Sequence, residues 1–164
     1  MRPQRVEPGP GQESVWDYPR PPALDRSGEH VVVRFGGVVI ADTRDPIRVL
    51  ETSQPPAYYL PAADVRTDLL RPVERTTWCE WKGAAAYWTI DTGAAVSQAA
   101  AWSYADPTPA FADIAGHLAF YPQRVDECLV DGEAVQANDG DFYGGWITSR
   151  VVGPFKGAPG TLGW

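Results

Sequence analysis

The chain has 164 residues, 44% of them hydrophobic and 21% charged, a balance that fits one globular domain burying roughly two thirds of its unfolded surface. Its net charge of −7 argues against nucleic acid and anionic membrane as partners, since both are bound through basic surfaces. No apolar run is long enough to span a bilayer, and Met1–Arg5 lacks the apolar core of a secretory signal. Two cysteines are too few for a disulfide framework, so a cytoplasmic protein with reduced thiols is expected.

The 16 Pro and 16 Gly call for many turns and short elements rather than long helices. Residues 1–13, rich in Pro, Gly, Gln and Arg, read as a flexible N-terminal tail. Residues 14–28 are aromatic and Pro-rich, hence extended. His30–Phe35 and Val38–Asp42 are β-branched runs joined by Gly36-Gly37, a two-residue hairpin signal because a type I′ turn needs positive φ at both positions. Pairing Phe35 with Val38 places Val33, Phe35, Val38 and Ile40 on one face and Arg34 on the other. Ile47–Thr52 reads as a third strand, stopped by Ser53-Gln54-Pro55-Pro56, and Tyr58–Leu60 as a short aromatic strand.

Pro61–Arg66 suits one helical turn, with proline where its missing N–H costs nothing. Residues 67–75 read as a connector, and 76–90 as a hairpin turning at Gly83-Ala84. The alanines of 94–104 favour helix, but the segment is short and bounded by turn signals, so a strand is expected. Pro107 and Pro109 limit 106–116 to a short helix. Leu118–Tyr121 is a strand, and residues 128–135 form a tight hairpin about Asp131-Gly132. The β domain therefore spans 14–136. Residues 137–164 hold nine Gly or Pro but also five aromatics, and are expected to strap across the same domain with Trp146 and Phe155 as anchors.

Several segments, in order, carry a family resemblance: Glu13–Pro22, Phe35–Thr43, Val49–Pro56, Tyr58–Val65, Cys79–Gly83, Tyr87-Trp88 and Val130–Glu133. Together they resemble the domain-of-unknown-function family numbered 427. The resemblance implies a single mainly β, antiparallel, β-tent-like domain of short hairpins with few short helices, similar to methionine sulfoxide reductase B and the thalidomide-binding domain of cereblon. Many β-tent proteins hold zinc on two Cys-x-x-Cys pairs, but here Lys82 and Asp131 stand three residues after Cys79 and Cys128, so that site does not carry over. The family has no established reaction, and no catalytic residue transfers with it.

Chemistry is therefore read from the residues. With the turn at Gly83-Ala84, Cys79 faces Trp88, and Thr77, Cys79, Trp81, Ala86, Trp88 and Ile90 share an apolar face. Trp78, Glu80, Lys82, Tyr87 and Thr89 share the other face. That second face is either a solvated surface with an ordinary ion pair, or a pocket wall in which aromatic side chains desolvate Lys82 and leave it to bind an anion or act as a nucleophile or base. Glu51 falls on the inward side set by Ile47 and Val49, where a carboxylate either pairs with a cation or lines a cavity. Tyr58 and Tyr59 point oppositely, so one of them should face the same space as Glu51.

No metal or cofactor is expected: His30 and His117 have no ligand spacing, Cys79 reads as inert packing, and no phosphate-loop or dinucleotide fingerprint occurs. Three functional classes follow. The first is a small-molecule-binding domain whose aromatic pocket is formed by Lys82, Glu51, Trp78, Tyr87 and Tyr58 or Tyr59. The second is a small enzyme using Lys82, Glu51 and a Tyr for acid–base or imine chemistry. The third is a protein-interaction module. Homo-oligomerisation is left open.

Overall fold

The computed structural model describes residues 3–140 and 142–164; Met1, Arg2 and Asp141, parts of the expected tail and strap, lie outside the described residues. In chain order the strands are β1 (Glu13–Ser14), β2 (Ala23–Arg26), β3 (Val31–Phe35), β4 (Val38–Thr43), β5 (Ile47–Leu50), β6 (Ala57–Tyr59), β7 (Leu70–Cys79) and β8 (Gly83–Asp91). There follow β9 (Val96–Ser103), β10 (Ala119–Phe120), β11 (Glu127–Val130), β12 (Glu133–Ala134), β13 (Gln136–Ala137), β14 (Trp146–Ile147) and β15 (Val151–Val152). The helical elements are 3₁₀ turns, the longest being Pro109–Ile114. No described helix is long and apolar enough to cross a membrane.

The protein is mainly β. Two four-stranded antiparallel sheets, ordered β10-β9-β8-β7 and β12-β11-β3-β4, accompany a three-stranded sheet β2-β5-β6 and two small ribbons. One of those ribbons, β1 with β15, is parallel, the exception to an otherwise antiparallel set of strand pairs. The first hairpin forms where its glycines require it: Gly36 and Gly37 both take positive φ (60° and 76°), and Phe35 pairs with Val38. A register shift between Val33 and Arg34 then leaves both Val33 and Ile40 fully buried. The segment expected as a connector, 67–75, is in fact a 3₁₀ turn, Thr67–Leu69, followed by the first half of β7.

Two hydrophobic cores flank β6. Tyr58 joins Val33, Ile40, Leu60, Ile90, Phe120 and Trp146 on one side; Tyr59 joins Ile47, Tyr87, Trp102, Tyr104 and Phe111 on the other. Strand alternation separates the two tyrosines. Trp146 is almost fully buried, stacks on Tyr58 at 4.9 Å and donates its indole N–H to the Phe120 carbonyl at 2.9 Å. Phe155 packs against a third, smaller core of Val15, Tyr18 and Val151. The N-terminal residues, expected to hang loose, are tied to the same end of the chain. The Val6 N–H reaches the Gly153 carbonyl at 3.0 Å, Arg5 pairs with Asp17, and Glu13 pairs in register with Val151.

Arg48, in β5, has only 1% of its surface exposed. Alternation assigns Ile47 and Val49 to the inside, which leaves Arg48 nominally outside, yet that face is also covered. Its guanidinium donates to Glu13 (Nη1–Oε1 2.9 Å, Nη2–Oε2 3.2 Å) and to Asp25 (Nε–Oδ2 2.8 Å). Arg150 joins the cluster through Glu13 and Glu29 (3.3 and 3.0 Å), and the Tyr18 and Tyr58 hydroxyls donate to Glu13 and Glu29. Burial by itself raises the Glu13 carboxyl, but the hydrogen bonds from Arg48 and Tyr18 and the charges of Arg48 and Arg150 outweigh it. They hold the group at about 2 instead of the ordinary 4.5.

Removing one partner of such a cluster strands the others. Arg48→Met is expected to cost about 1–3 kcal/mol in urea unfolding at neutral pH, because the half-buried Glu13 and Asp25 lose the charged donor between them. Because the folded value of Glu13 is depressed, its contribution is complete above about 4.5 and is lost as pH falls toward 2. The wild-type unfolding midpoint should therefore drop more steeply from pH 5 to 3 than that of Glu13→Gln. Parallel slopes would sink this reading.

Candidate functional site

The site is built on the β7–β8 hairpin, whose register differs from the expected one. Cys79 pairs with Gly83, so the turn is Glu80-Trp81-Lys82, and Gly83 closes it with a φ of +100° that suits glycine. Expected opposite Trp88, Cys79 is displaced by five positions, an odd number, which exchanges the faces of one strand relative to the other. Thr77, Cys79, Ala85 and Tyr87 therefore share a face, sealed by a 2.7 Å hydrogen bond between the Thr77 and Tyr87 hydroxyls. A second irregularity lies between Pro72 and Thr76, where β7 advances four residues while β8 advances two. Arg75, within that bulge, lies over the Tyr87 ring at 4.6 Å.

Lys82 consequently sits in a turn and not on a strand face. It is nonetheless buried, with 8% of its surface exposed. The Thr108 hydroxyl and N–H clamp the turn, donating to the Trp81 and Lys82 carbonyls at 2.6 and 3.3 Å. The Lys82 ammonium lies 5.7 Å from the Tyr104 ring centre and 5.9 Å from that of Phe111. Such faces attract a cation but cannot neutralise it. Among the described residues Lys82 makes no ion pair and no side-chain hydrogen bond.

This lysine lines a cleft of about 360 Å³ whose walls include Tyr59, Tyr87, Trp102, Tyr104 and Tyr121. The Trp102 indole donates to the Tyr59 hydroxyl at 3.0 Å, and its ring packs 4.6 Å from that of Tyr121. Burial, with Tyr87 adding to it, pushes the Tyr121 phenol up to about 12; burial also holds the Tyr59 and Tyr104 phenols well above their usual value. All three stay protonated at ordinary pH and so keep a hydroxyl able to donate a hydrogen bond. The remaining wall comes from the C-terminal strap. A β-carbon on Gly144 would stand 2.4 Å from Trp102, and one on Gly145 would stand 2.8 Å from the Pro55 carbonyl oxygen, so only glycine admits the backbone there.

Glu51 follows the end of β5 and lines the same cleft. Its Oε2 accepts from Gln54 at 2.9 Å and lies 3.5 Å from Arg20 Nε. The two readings of this carboxylate are thus compatible: it is structurally paired and it lines the cleft. Of the sequence candidates, Lys82, Glu51, Trp78, Tyr87 and Tyr59 border one space. Tyr58 does not. It points into the other core, where its hydroxyl donates to Glu29 at 2.9 Å. Trp78 is a rim residue, 74% exposed, and shares the rim with the equally exposed Phe142.

Sequence reasoning missed Arg75, Cys79, Trp102, Tyr104, Tyr121 and Arg124. The correct register alone would have placed Cys79 on the Tyr87 face. Trp102 pairs directly with Tyr87 across β8 and β9, a contact that follows only once that pairing is known. Arg124 stacks on Tyr121 at 4.2 Å and donates to the Ala99 carbonyl at 2.7 Å, with no local signal for either. Among the described residues no group of three His, Cys, Asp or Glu is placed to hold a metal ion.

Residues 23–131 match the model of a domain-of-unknown-function family, DUF427, and the chain belongs to that family. No curated protein matches the chain. The matched span contains Glu51, Lys82 and the tyrosine walls, but not the strap residues 142–145 nor Glu13 and Arg150 of the Arg48 cluster.

Two outcomes test this geometry. Gly144→Ala should cost about 1–3 kcal/mol, as overpacking does, and alter tryptophan fluorescence, because the buried Trp102 ring is pinned by Tyr59 and has nowhere to move. Gly163→Ala, which meets nothing within 4 Å, should leave both unchanged. In the folded protein one thiol, Cys79, should react with a disulfide reagent. Cys128 should wait for unfolding, since it is buried and burial pushes its thiol up to about 12. Equal reaction of both thiols in the native state would contradict the assignment of Cys79 to the cleft.

Proposed function

We propose that this DUF427 protein binds a small molecule in the Lys82 cleft. The observation that carries the reading is a lysine more than nine-tenths buried, bordered by aromatic rings, with no anion beside it among the described residues. Leaving a cation desolvated and unpaired costs free energy that a folded domain gains nothing by spending. An anionic ligand entering the cleft supplies the missing charge and stacks on the rings. The volume lies at the lower end of the range for small-molecule sites, which suits a compact ligand.

Binding is favoured over acid–base catalysis because the cleft phenols are held far above neutrality, whereas a proton-transferring group works best near it. Trp78 and Phe142, both widely exposed at the rim, supply apolar surface over which a ligand slides inward. A cytoplasmic setting suits the two free cysteines.

Lys82→Met keeps the stem and removes the charge. The variant should be as stable as the wild type or more so, because an unpaired buried charge is lost. In a thermal-shift screen of anionic aromatic metabolites, compounds that raise the wild-type melting temperature should leave Lys82→Met unmoved. A hit at one hundred times its dissociation constant adds about 2.7 kcal/mol of stability. A marked destabilisation of Lys82→Met, or hits indifferent to it, would show that the lysine serves the fold.

A further inference from the structure

We infer that the ligand is a planar aromatic carboxylate carrying a neutral hydrogen-bond donor away from its acid group, with the carboxylate on Lys82 and the donor on Glu51. This rests on the small-molecule reading above and names its chemistry.

The acid end follows from the surroundings of Lys82. Arg75 and Arg124 also line the cleft, but Arg75 is exposed over the Tyr87 ring and Arg124 is half-buried over the Tyr121 ring, so Lys82 is the one buried cation there, and it balances a single negative charge. A phosphate brings up to two charges and three oxygens, and its usual hosts supply several converging backbone N–H groups from a helix start or a glycine-rich loop. The Lys82 turn supplies carbonyls already engaged by Thr108, and two ring faces. Such a setting complements a flat monoanion whose ring packs against the aromatic walls of the cleft, Tyr104 among them.

The donor end follows from Glu51. Both of its contacts, from Gln54 and Arg20, fall on Oε2; Oε1 has no partner among the described residues. The Arg20 guanidinium already offsets its charge, so Glu51 calls for a hydrogen-bond donor and not for a second cation. The two ends are distinct. Lys82 neighbours Tyr104 and Phe111, whereas Glu51 neighbours Arg20, Gln54 and the Tyr143 phenol, whose proton its charge helps to retain. No ion pair joins Lys82 to Glu51, so a ligand spanning the cleft meets them separately. The volume accommodates one or two rings.

The test is calorimetric titration of the full chain with 2-naphthoate, 6-hydroxy-2-naphthoate, 2-naphthyl phosphate and 2-naphthol. Expected is 6-hydroxy-2-naphthoate tightest, 2-naphthoate weaker by about tenfold, and the phosphate and the naphthol at least about tenfold weaker again. Lys82→Met should reduce 2-naphthoate to the level of 2-naphthol. Glu51→Leu, checked for folding by its thermal transition, should erase the advantage of 6-hydroxy-2-naphthoate over 2-naphthoate. The wild-type ranking alone decides the matter if that variant does not fold. Equal or tighter binding of the phosphate or the naphthol overturns the carboxylate assignment and leaves small-molecule binding standing. Silence from all four compounds overturns the aromatic-acid inference; small-molecule binding itself falls only if the metabolite screen is silent too.

Discussion

A guanidinium taken out of water must find its counter-charges, and Arg48 finds them in parts of the chain far apart in sequence. Glu13 comes from the N-terminal segment and Asp25 from β2, while Arg150 from the C-terminal strap shares Glu13 and reaches Glu29. These partners close both ends of the chain around β5. The apolar side of the same strand, Ile47 and Val49, packs into the core that backs the cleft. A strand held on both faces fixes where its end points, and that end is Glu51. The charge cluster and the candidate site are therefore linked through the last residues of one strand, although no residue belongs to both.

β6 plays the complementary part. Three residues long, it lies between the two cores and sends Tyr58 into one and Tyr59 into the other. Tyr58 is consumed by structure: its ring stacks on Trp146 and its hydroxyl completes the Glu29 end of the cluster. Tyr59 is free to organise the cleft, accepting from Trp102 with its ring perpendicular to that indole. Period-two alternation turns one dipeptide into a structural residue and a wall residue, with no further sequence needed.

Which parts of this were legible in the sequence follows from where the determining forces are local. Gly36-Gly37 and Asp131-Gly132 gave their hairpins because positive φ is a property of those few residues, and the structure shows it at all four. Glu51 stood out because it breaks a local alternation. The start of β7 was hidden because it is an exposed edge strand with Pro72, Glu74 and Arg75, so no apolar period marks it. The hairpin register failed on a choice local rules leave open: Gly83 can be the middle of a two-residue turn or the close of a three-residue one. Alternation announced that Tyr58 and Tyr59 diverge but not which one meets Glu51, since that depends on which core lies where. Arg48 was invisible because its burial is produced by segments distant in the chain.

The changed register buries Lys82 by a different geometry from the expected strand face. On a strand face, Lys82 would share its exposure with Glu80 and could pair with it at the surface. In the turn, the Thr108 clamp and the Tyr104 and Phe111 rings enclose it while Glu80 stays outside, exposed. A turn residue is ordinarily among the most solvated in a hairpin; this one is buried. The strap lines the same cleft through Gly144 and Gly145, where any side chain would collide with Trp102 or Pro55. The buried charge and the two glycines thus meet at one cleft although they come from opposite halves of the chain.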